Sequence, residues 1–283
     1  MKTVIKNTFL TATINSFGAE LCSLKNNENK EYIWEGNLDF WGKHSPILFP
    51  IVGTLKNNSY QYNETEYHLS RHGFAREMDF EIVNQRENSV TFSIQSSEET
   101  LKVYPFLFEL QIIYTLDKNR LHIEYKVMNN GKIKMPFSIG AHPAFALPGN
   151  FENYNIQFEK EESLEYYVLE NDLISNKTKI LESENKLVPL NYELFENDAL
   201  IFKTLKSNSI TILENKKPFL KVNFNDFPSL GIWTKMNAPF LCIEPWFGYS
   251  DTNENSGNLF EKEGIQILEE NKTFRSEFSI EIL

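Results

Sequence analysis

Three short segments of the 283-residue sequence concentrate residues that can transfer protons: SRHGFAR at 70–76, GAHPAF at 140–145 and LCIEPWFG at 241–248. His142 and Glu244 each stand directly before a proline. A residue in that position is biased towards the extended backbone conformation. A histidine and a glutamate held on stiff extended segments can serve as a general acid and a general base. The sequence therefore predicts an acid/base pair formed by His142 and Glu244.

The surroundings of Glu244 support this interpretation. In an extended strand, its side chain shares one face with those of Phe240, Cys242 and Trp246. A carboxylate among such neighbours is costly to bury without a partner or a task. Three aromatic rings of the chain suit the apolar face of a sugar ring: Phe145, Trp233 and Trp246. Each short motif alone is weakly specific, because combinations such as Glu-Pro-Trp also arise by chance.

The elements that must position these residues are predominantly β-strands. Apolar and polar residues alternate over 121–128, which is the period of a half-buried strand. Similar runs cover 60–69, 80–94, 108–116, 209–224 and 264–283. Short polar turns that predict hairpins lie at 63–64, 86–88, 117–119, 215–217 and 270–272. Helix is expected only in short turns near 98–103 and 191–195, and the polar stretch 161–186 is predicted to form long surface excursions.

These patterns predict an all-β fold, a large antiparallel β-sandwich. The 23 Phe and 12 Tyr residues favour pleated, half-buried surfaces. No linker rich in Pro, Gly or Ser divides the chain, and no internal repeat is visible. Residues 1–283 are therefore expected to form a single domain.

The composition excludes several classes of partner. The chain has 39 acidic and 28 basic residues, so its formal net charge of -11 repels nucleic acid and anionic lipid. It contains no apolar run of about 18 residues, the length that a membrane span requires. The first residues do not resemble a signal peptide. We therefore expect a cytoplasmic protein that binds neither nucleic acid nor membrane, with Cys22 and Cys242 as unpaired thiols.

The order of four motifs resembles that of the aldose 1-epimerase family, also called galactose mutarotases. The motifs are HGFAR, GAHPAF, NDALIF at 197–202 and CIEPW. The resemblance extends over essentially the whole chain and is strongest to the short LacX-like branch. It implies the galactose mutarotase-like supersandwich, with the site on a concave sheet face.

Carried over residue by residue, the resemblance implies that His142 is the acid that protonates the ring oxygen of a free hexose. Glu244 is then the base that takes the proton from the anomeric hydroxyl. His72 and Asp198 are implied to bind the sugar, and Arg76 is a further hydroxyl or anion contact. The reaction needs no cofactor and no metal. The expected partner is a small sugar, and the protein is expected to be a monomer or a homodimer.

Two alternatives stay open at this point. The protein could epimerise a hexose 6-phosphate, with a phosphate site drawn from Lys43, Lys56, Arg71 and Arg76. It could also be a carbohydrate-binding β-sandwich module without catalysis, although such a module needs no separate acid and base.

Two further expectations concern the site. The longer galactose mutarotases carry an arginine upstream of the first histidine, where this chain has Gly53 to Asn58, and Lys56 is a candidate replacement. A lysine ammonium does not reproduce the planar fork of a guanidinium. Ordinary pKa values of about 6.5 for histidine and 4.3 for glutamate make protonated His142 beside ionised Glu244 reachable if nearby acids raise the pKa of the histidine.

Overall fold

The computed structural model describes residues 1–283. Its strands in the first half of the chain are β1 (Lys2–Lys6), β2 (Leu10–Asn15), β3 (Glu20–Asn26), β4 (Ile47–Leu48), β5 (Ser59–Tyr62), β6 (Thr65–His68), β7 (Glu81–Gln85), β8 (Ser89–Gln95), β9 (Phe108–Asp117), β10 (Arg120–Asn129), β11 (Met135–Phe137) and β12 (Ile139–Ala141). The second half adds β13 (Ala144–Ala146), β14 (Tyr154–Phe158), β15 (Glu165–Glu170), β16 (Leu173–Ile180), β17 (Leu187–Pro189), β18 (Leu200–Phe202), β19 (Ser209–Glu214), β20 (Lys217–Asn223), β21 (Ser229–Trp233), β22 (Phe240–Phe247), β23 (Gln266–Leu268) and β24 (Thr273–Ile282).

Helix is confined to short pieces, as predicted. The α-helix is α1 (Glu98–Val103), which Ser97 caps by accepting a hydrogen bond from the Thr100 amide. Five 3₁₀ turns lie at Lys56–Asn58, Ala75–Glu77, Phe151–Asn153, Tyr192–Phe195 and Leu259–Glu261. None of these helices has the length and apolar character needed to cross a lipid bilayer.

The larger of two main sheets has nine antiparallel strands in the order β17-β14-β19-β20-β24-β10-β9-β8-β7. Its centre follows directly from the sequence pattern, because β9 and β10 alternate between buried and half-exposed side chains. The polar turn after Asp117, with Lys118 in a left-handed conformation (φ 51°), places Leu116 opposite Leu121. The alternating apolar residues therefore all face the same side of the sheet.

The second main sheet carries the cleft described below. Its strand order is β16-β15-β18-β21-β22-β12-β4, and β13 pairs with β22. The two sheets share one buried core of 64 residues, in which the rings of Phe158 on β14 and Phe202 on β18 lie 6.1 Å apart. Three small sheets, β1-β2-β3, β5-β6 and β11-β23, complete the fold. The predicted all-β sandwich is thus confirmed.

Two predictions about elements were wrong. The run 264–283 does not form a hairpin, because β23 pairs with β11, with Leu268 opposite Met135, whereas β24 pairs with β10 and β20. The stretch 161–186 is not a simple surface excursion, because it contains the hairpin β15-β16 at one edge of the second sheet. Three consecutive buried residues in β16 precede five exposed ones, so the alternation that identifies a strand is missing there.

Cys22 on β3 is half-buried and Cys242 on β22 is fully buried. Both are free thiols, as predicted.

Candidate functional site

A cleft of about 390 Å³ opens on the face of the second sheet that is turned away from the main core. All five predicted site residues line it: His72, Arg76, His142, Asp198 and Glu244. They come from separate segments of the chain, so the fold brings together the residues that the sequence motifs singled out.

Glu244 is positioned by the alternation of β22. Leu241 and Ile243 belong to the main core, whereas Cys242 and Trp246 pack in small clusters on the cleft side. Glu244 lies between these last two and is therefore on the cleft side as well.

Two glycines make room for the neighbouring Trp246 ring. A Cβ at Gly231 would come within 2.4 Å of the ring of Trp246, and a Cβ at Gly140 within 2.5 Å. Gly231 is paired with Glu244 on the adjacent strand, so the indole of Trp246 occupies space on the same face of the sheet as the carboxylate. Trp246 also donates its ring N–H to the Ala141 carbonyl at 3.2 Å.

His142 and Glu244 face each other at the bottom of the cleft. His142 Nε2 lies 3.3 Å from Glu244 Oε2, and the two residues are 9% and 1% exposed. Both carboxylate oxygens and His142 Nδ1 are buried without a hydrogen-bond partner. Such groups are costly to bury, so they are available to a ligand with complementary donors and acceptors.

Burial sets the protonation of this pair. It raises the pKa of Glu244 well above its usual value, and it lowers the pKa of His142 to about 3. The cations of Arg71 and Arg76 lower the pKa of His142 further. The condition set for protonated His142 beside ionised Glu244, nearby acids that raise the pKa of the histidine, is therefore not met, because desolvation disfavours both charges.

His72 is held by a backbone contact that also fixes its tautomer. The Gly53 N–H donates to His72 Nδ1 at 3.1 Å, and the His72 N–H donates to the Gly53 carbonyl at 2.8 Å. Arg71 Nε is also placed to donate, at 3.3 Å, to Nε2 of the same ring. A neutral imidazole has only one acceptor nitrogen, so it can satisfy only one of these two donors, and the shorter contact from the rigid amide favours Nδ1 as the acceptor. Since burial lowers the pKa of His72, the ring is neutral and carries its proton on Nε2.

Arg71 is a cleft residue that the acid/base reasoning did not single out. Its Nη1 lies 2.9 Å from Asp172 Oδ1 and 3.8 Å from Asp198 Oδ2. Asp172 belongs to the turn of the β15-β16 hairpin, so the stretch interpreted as a surface excursion reaches the rim of the site. Arg71 and His72 both face the cleft because His72 and Gly73 have left-handed backbones (φ 69° and 70°), which interrupts the alternation of a strand.

The structure also shows whether Arg76, Lys56 and the three candidate aromatic rings line the cleft. Arg76 lines the cleft and donates to the Arg71 carbonyl at 2.8 Å. Lys56 does not replace an arginine here, because its Nζ lies 3.4 Å from the Asn255 carbonyl and it is absent from the cleft wall. Trp233 and Trp246 line the cleft, but Phe145 is fully buried in the main core and is excluded as a sugar-stacking ring.

The sequence motifs also missed Trp41. Its ring stacks on His142 with the ring centroids 4.8 Å apart and the planes 27° from parallel. Trp41 lies in an irregular segment between β3 and β4, where no strand or motif pattern marks it.

One group of side chains near the cleft has the composition of a metal site. Donor atoms of His142, Cys242 and Glu244 all lie within 4.8 Å of one another. Burial raises the pKa of the Cys242 thiol well above its usual value, so it stays protonated and is a weak ligand. His142 and Glu244 are therefore better suited to exchanging protons with a ligand than to holding a metal ion.

A sandwich of two antiparallel sheets, with a buried histidine and glutamate in a cleft on one sheet, is an architecture suited to acid/base chemistry on a small polar ligand. The family model described as aldose 1-epimerase matches residues 1–273. The chain belongs to the aldose 1-epimerase family.

Individual relatives support the same assignment. The plasmid form of protein LacX from Lactococcus lactis subsp. lactis is 36% identical over 99% of this chain and 98% of its own length. A galactose mutarotase related enzyme from Lactobacillus acidophilus superposes with a TM-score of 0.95 at 35% identity, covering 100% of this chain and 97% of that one. A galactose mutarotase-like protein from Lactobacillus casei gives a TM-score of 0.94 at 29% identity, with full coverage of both chains.

Proposed function

We propose that this protein interconverts the α and β anomers of a free hexose by acid/base opening of the sugar ring. The observation that carries the proposal is the 3.3 Å separation of His142 Nε2 and Glu244 Oε2. The anomeric hydroxyl and the ring oxygen are both bonded to C1, so an acid and a base acting on them must lie side by side. In glycosidases, by contrast, the two carboxyl groups lie about 5–9.5 Å apart.

Ring opening moves two protons in opposite directions. Glu244 takes the proton of the C1 hydroxyl while His142 gives a proton to the ring oxygen, and the bond between C1 and the ring oxygen breaks. The open chain carries an aldehyde at C1, and rotation about the C1–C2 bond followed by closure gives the other anomer. The pair begins as imidazolium and carboxylate and ends as neutral imidazole and carboxylic acid, so its total number of protons is unchanged.

Other cleft residues have roles in holding the sugar. His72 offers an N–H donor from Nε2, which suits a sugar oxygen close to the reacting centre. Asp198 Oδ2 and the guanidinium of Arg71, 3.8 Å apart, form an acceptor and donor pair for a hydroxyl group. Arg76 is a further donor in the wall.

The charges at the rim favour an unphosphorylated sugar over a hexose 6-phosphate. Arg71 is already paired with Asp172, and Asp198 lies close to the same guanidinium, so a phosphate there would meet two carboxylates. Lys43, another residue considered for a phosphate site, is paired with Glu77 at 2.7 Å. A binding module without catalysis is disfavoured because stacking and hydrogen bonding need no buried, unpartnered carboxylate.

Polarimetry on freshly dissolved sugars tests the proposal. We expect the protein to accelerate the mutarotation of α-galactose and α-glucose, and to act less efficiently on glucose 6-phosphate. Binding of these sugars without acceleration would support the carbohydrate-binding alternative. A preference for glucose 6-phosphate would overturn the assignment of the substrate.

The pH dependence of kcat/KM is expected to report on the pair as a unit. Between the lowered pKa of His142, about 3, and the raised pKa of Glu244, the two groups share one proton, which the reaction requires. Above the raised pKa this proton is lost and His142 has nothing to donate, so kcat/KM should fall with rising pH. Activity that instead rises with pH through this range would mean that ionised Glu244 works beside a neutral histidine.

Substitution of Asp172 should affect sugar binding more than catalysis. Asp172→Ala removes the partner that holds the Arg71 guanidinium at the rim, and we expect KM to rise about 2- to 5-fold, the effect of one partly exposed ion pair. Glu170→Ala is the matched control, because Glu170 pairs with Lys177 on the outside of the same hairpin. Equal effects of the two substitutions on KM would show that hairpin stability, and not Arg71, is responsible.

A further inference from the structure

His142 must become positively charged during the proposed reaction, although its surroundings oppose that charge. Five groups that face it are ionisable: Glu244, Cys242, His72, Arg71 and Arg76. The two arginines repel an imidazolium, the buried thiol and His72 are neutral, and the Glu244 carboxylate, 3.3 Å away, is the one anion in contact with the ring while His142 is charged. Uncharged neighbours that stabilise a cation therefore add to the support that this single carboxylate gives.

Two tryptophan rings flank His142 in different orientations. Trp41 lies face to face with the imidazole, at 4.8 Å and 27°. Trp233 meets the imidazole nearly at a right angle, with the ring centroids 5.8 Å apart. The face of an indole carries the negative part of its quadrupole, and tryptophan is the best of the aromatic side chains at stabilising a cation over its face.

We propose that Trp41 is a positioning residue for His142, which holds the imidazole in register with Glu244 and stabilises its protonated form by a cation–π contact. The inference rests on the proposed acid role of His142. It gives a function to a residue outside all four sequence motifs. It also accounts for how a buried histidine beside two arginines is protonated when the sugar is bound.

The segment that carries Trp41 is fixed by three hydrogen bonds. The Trp34 indole N–H donates to the backbone carbonyl of Trp41 at 2.8 Å. The backbone N–H of Trp41 donates to the Asn37 carbonyl at 2.9 Å. The side chain of Lys235, which also lines the cleft, donates from Nζ to the Phe40 carbonyl at 2.8 Å. These bonds hold the backbone, so the indole is already in place over His142 before a sugar arrives.

The test compares Trp41→Leu with Trp41→Phe, and Trp233→Leu replaces the ring that meets the imidazole nearly at a right angle. We expect Trp41→Leu to lower kcat about 3- to 30-fold, the range of a desolvated cation–π contact, and Trp41→Phe to restore much of the loss. Trp233→Leu should change kcat less. Sugar affinity, measured by titration calorimetry on the inactive Glu244→Gln protein, should change little when Trp41→Leu is added.

A double-mutant cycle with His142→Asn separates a positioning role from a packing role. If Trp41 acts through the imidazolium, Trp41→Leu should have almost no further effect on the residual kcat of the His142→Asn protein. An equal loss of kcat in both backgrounds would overturn the proposal and assign Trp41 a packing role. A rise in KM without a change in kcat would also overturn it and make Trp41 a sugar-stacking ring. Should the leucine variant not fold, the same cycle with Trp41→Met, whose flexible side chain fills space without an aromatic ring, gives the answer. Inactivity of the unsubstituted protein would count against the proposed function, whereas an active protein insensitive to Trp41→Leu would count against this inference alone.

Discussion

Replacing Glu244 by Gln is expected to lower kcat by about 10²–10⁴-fold, the usual contribution of general acid–base catalysis. Gln has nearly the same size and can still hydrogen-bond to the anomeric hydroxyl, but it cannot accept its proton. Because Glu244 is fully buried and its two oxygens have no protein partners, the substitution breaks no existing hydrogen bond. The loss should therefore appear in kcat, with sugar affinity largely retained.

His142→Asn provides the companion measurement. It should lower kcat in a similar way, because the ring oxygen then has no acid. The double variant should lose much less than the product of the two single effects, since both residues act on the same step. A Glu244→Gln protein with near-normal kcat would mean that another group is the base, and the assigned pair would have to be abandoned.

The largest expected effect on stability comes from Lys262. Its ammonium is buried with Asp251, at 2.7 Å from Oδ1, and also donates to the Tyr249 carbonyl at 2.6 Å. Lys262→Met leaves the Asp251 carboxylate charged and buried, which typically costs about 3–5 kcal/mol. We expect urea denaturation to give a free energy of unfolding lower by that amount.

Lys134→Met is the control for this experiment. Lys134 pairs with Glu269 at 2.7 Å, and the two side chains are 60% and 56% exposed, so the loss of this pair should cost about 1 kcal/mol or less. Adding Asp251→Asn to Lys262→Met should recover part of the lost stability, because it removes the unpaired charge. If Lys134→Met destabilised the protein as much as Lys262→Met, the buried ion pair would not be the reason.

The Lys262–Asp251 pair is also connected by hydrogen bonds to the backbone segment that holds His72. The Asp251 N–H donates to the Thr54 carbonyl at 2.8 Å, and the Thr54 N–H donates to Ser250 Oγ at 3.0 Å. Thr54 follows Gly53, whose amide fixes the tautomer of His72. The Lys262→Met protein is therefore expected to show a raised KM in addition to its lower stability.

The sequence predicts the architecture well where strands alternate and turns are short. It fails at 264–283 because a polar turn looks the same whether the strands beside it pair with each other or with distant partners. There, β23 pairs with β11, more than a hundred residues earlier in the chain. The expected organisation as one domain, the expected oligomeric state and the expected cytoplasmic location remain predictions.

The site is predictable to the extent that its residues lie in recognisable motifs. All five predicted residues line the cleft. Arg71 also faces the cleft because His72 and Gly73 have left-handed backbones, and the alternation of apolar and polar residues does not predict such a turn. Trp41 and Asp172 lie in segments without a motif, and only the tertiary fold brings them to His142 and Arg71. The pKa values of His142 and Glu244 depend on burial, which is likewise a property of the fold.

The β15-β16 hairpin separates the proposed chemistry from the proposed recognition of the sugar. His142 and Glu244 lie in the central part of the sheet, whereas Asp172 is at the tip of an edge hairpin joined to the sheet through β18. Changes in the length or composition of this tip are therefore expected to alter how Arg71 is held without moving His142 or Glu244. Transplanting the tip between relatives is expected to change sugar preference while leaving the proposed acid/base pair in place.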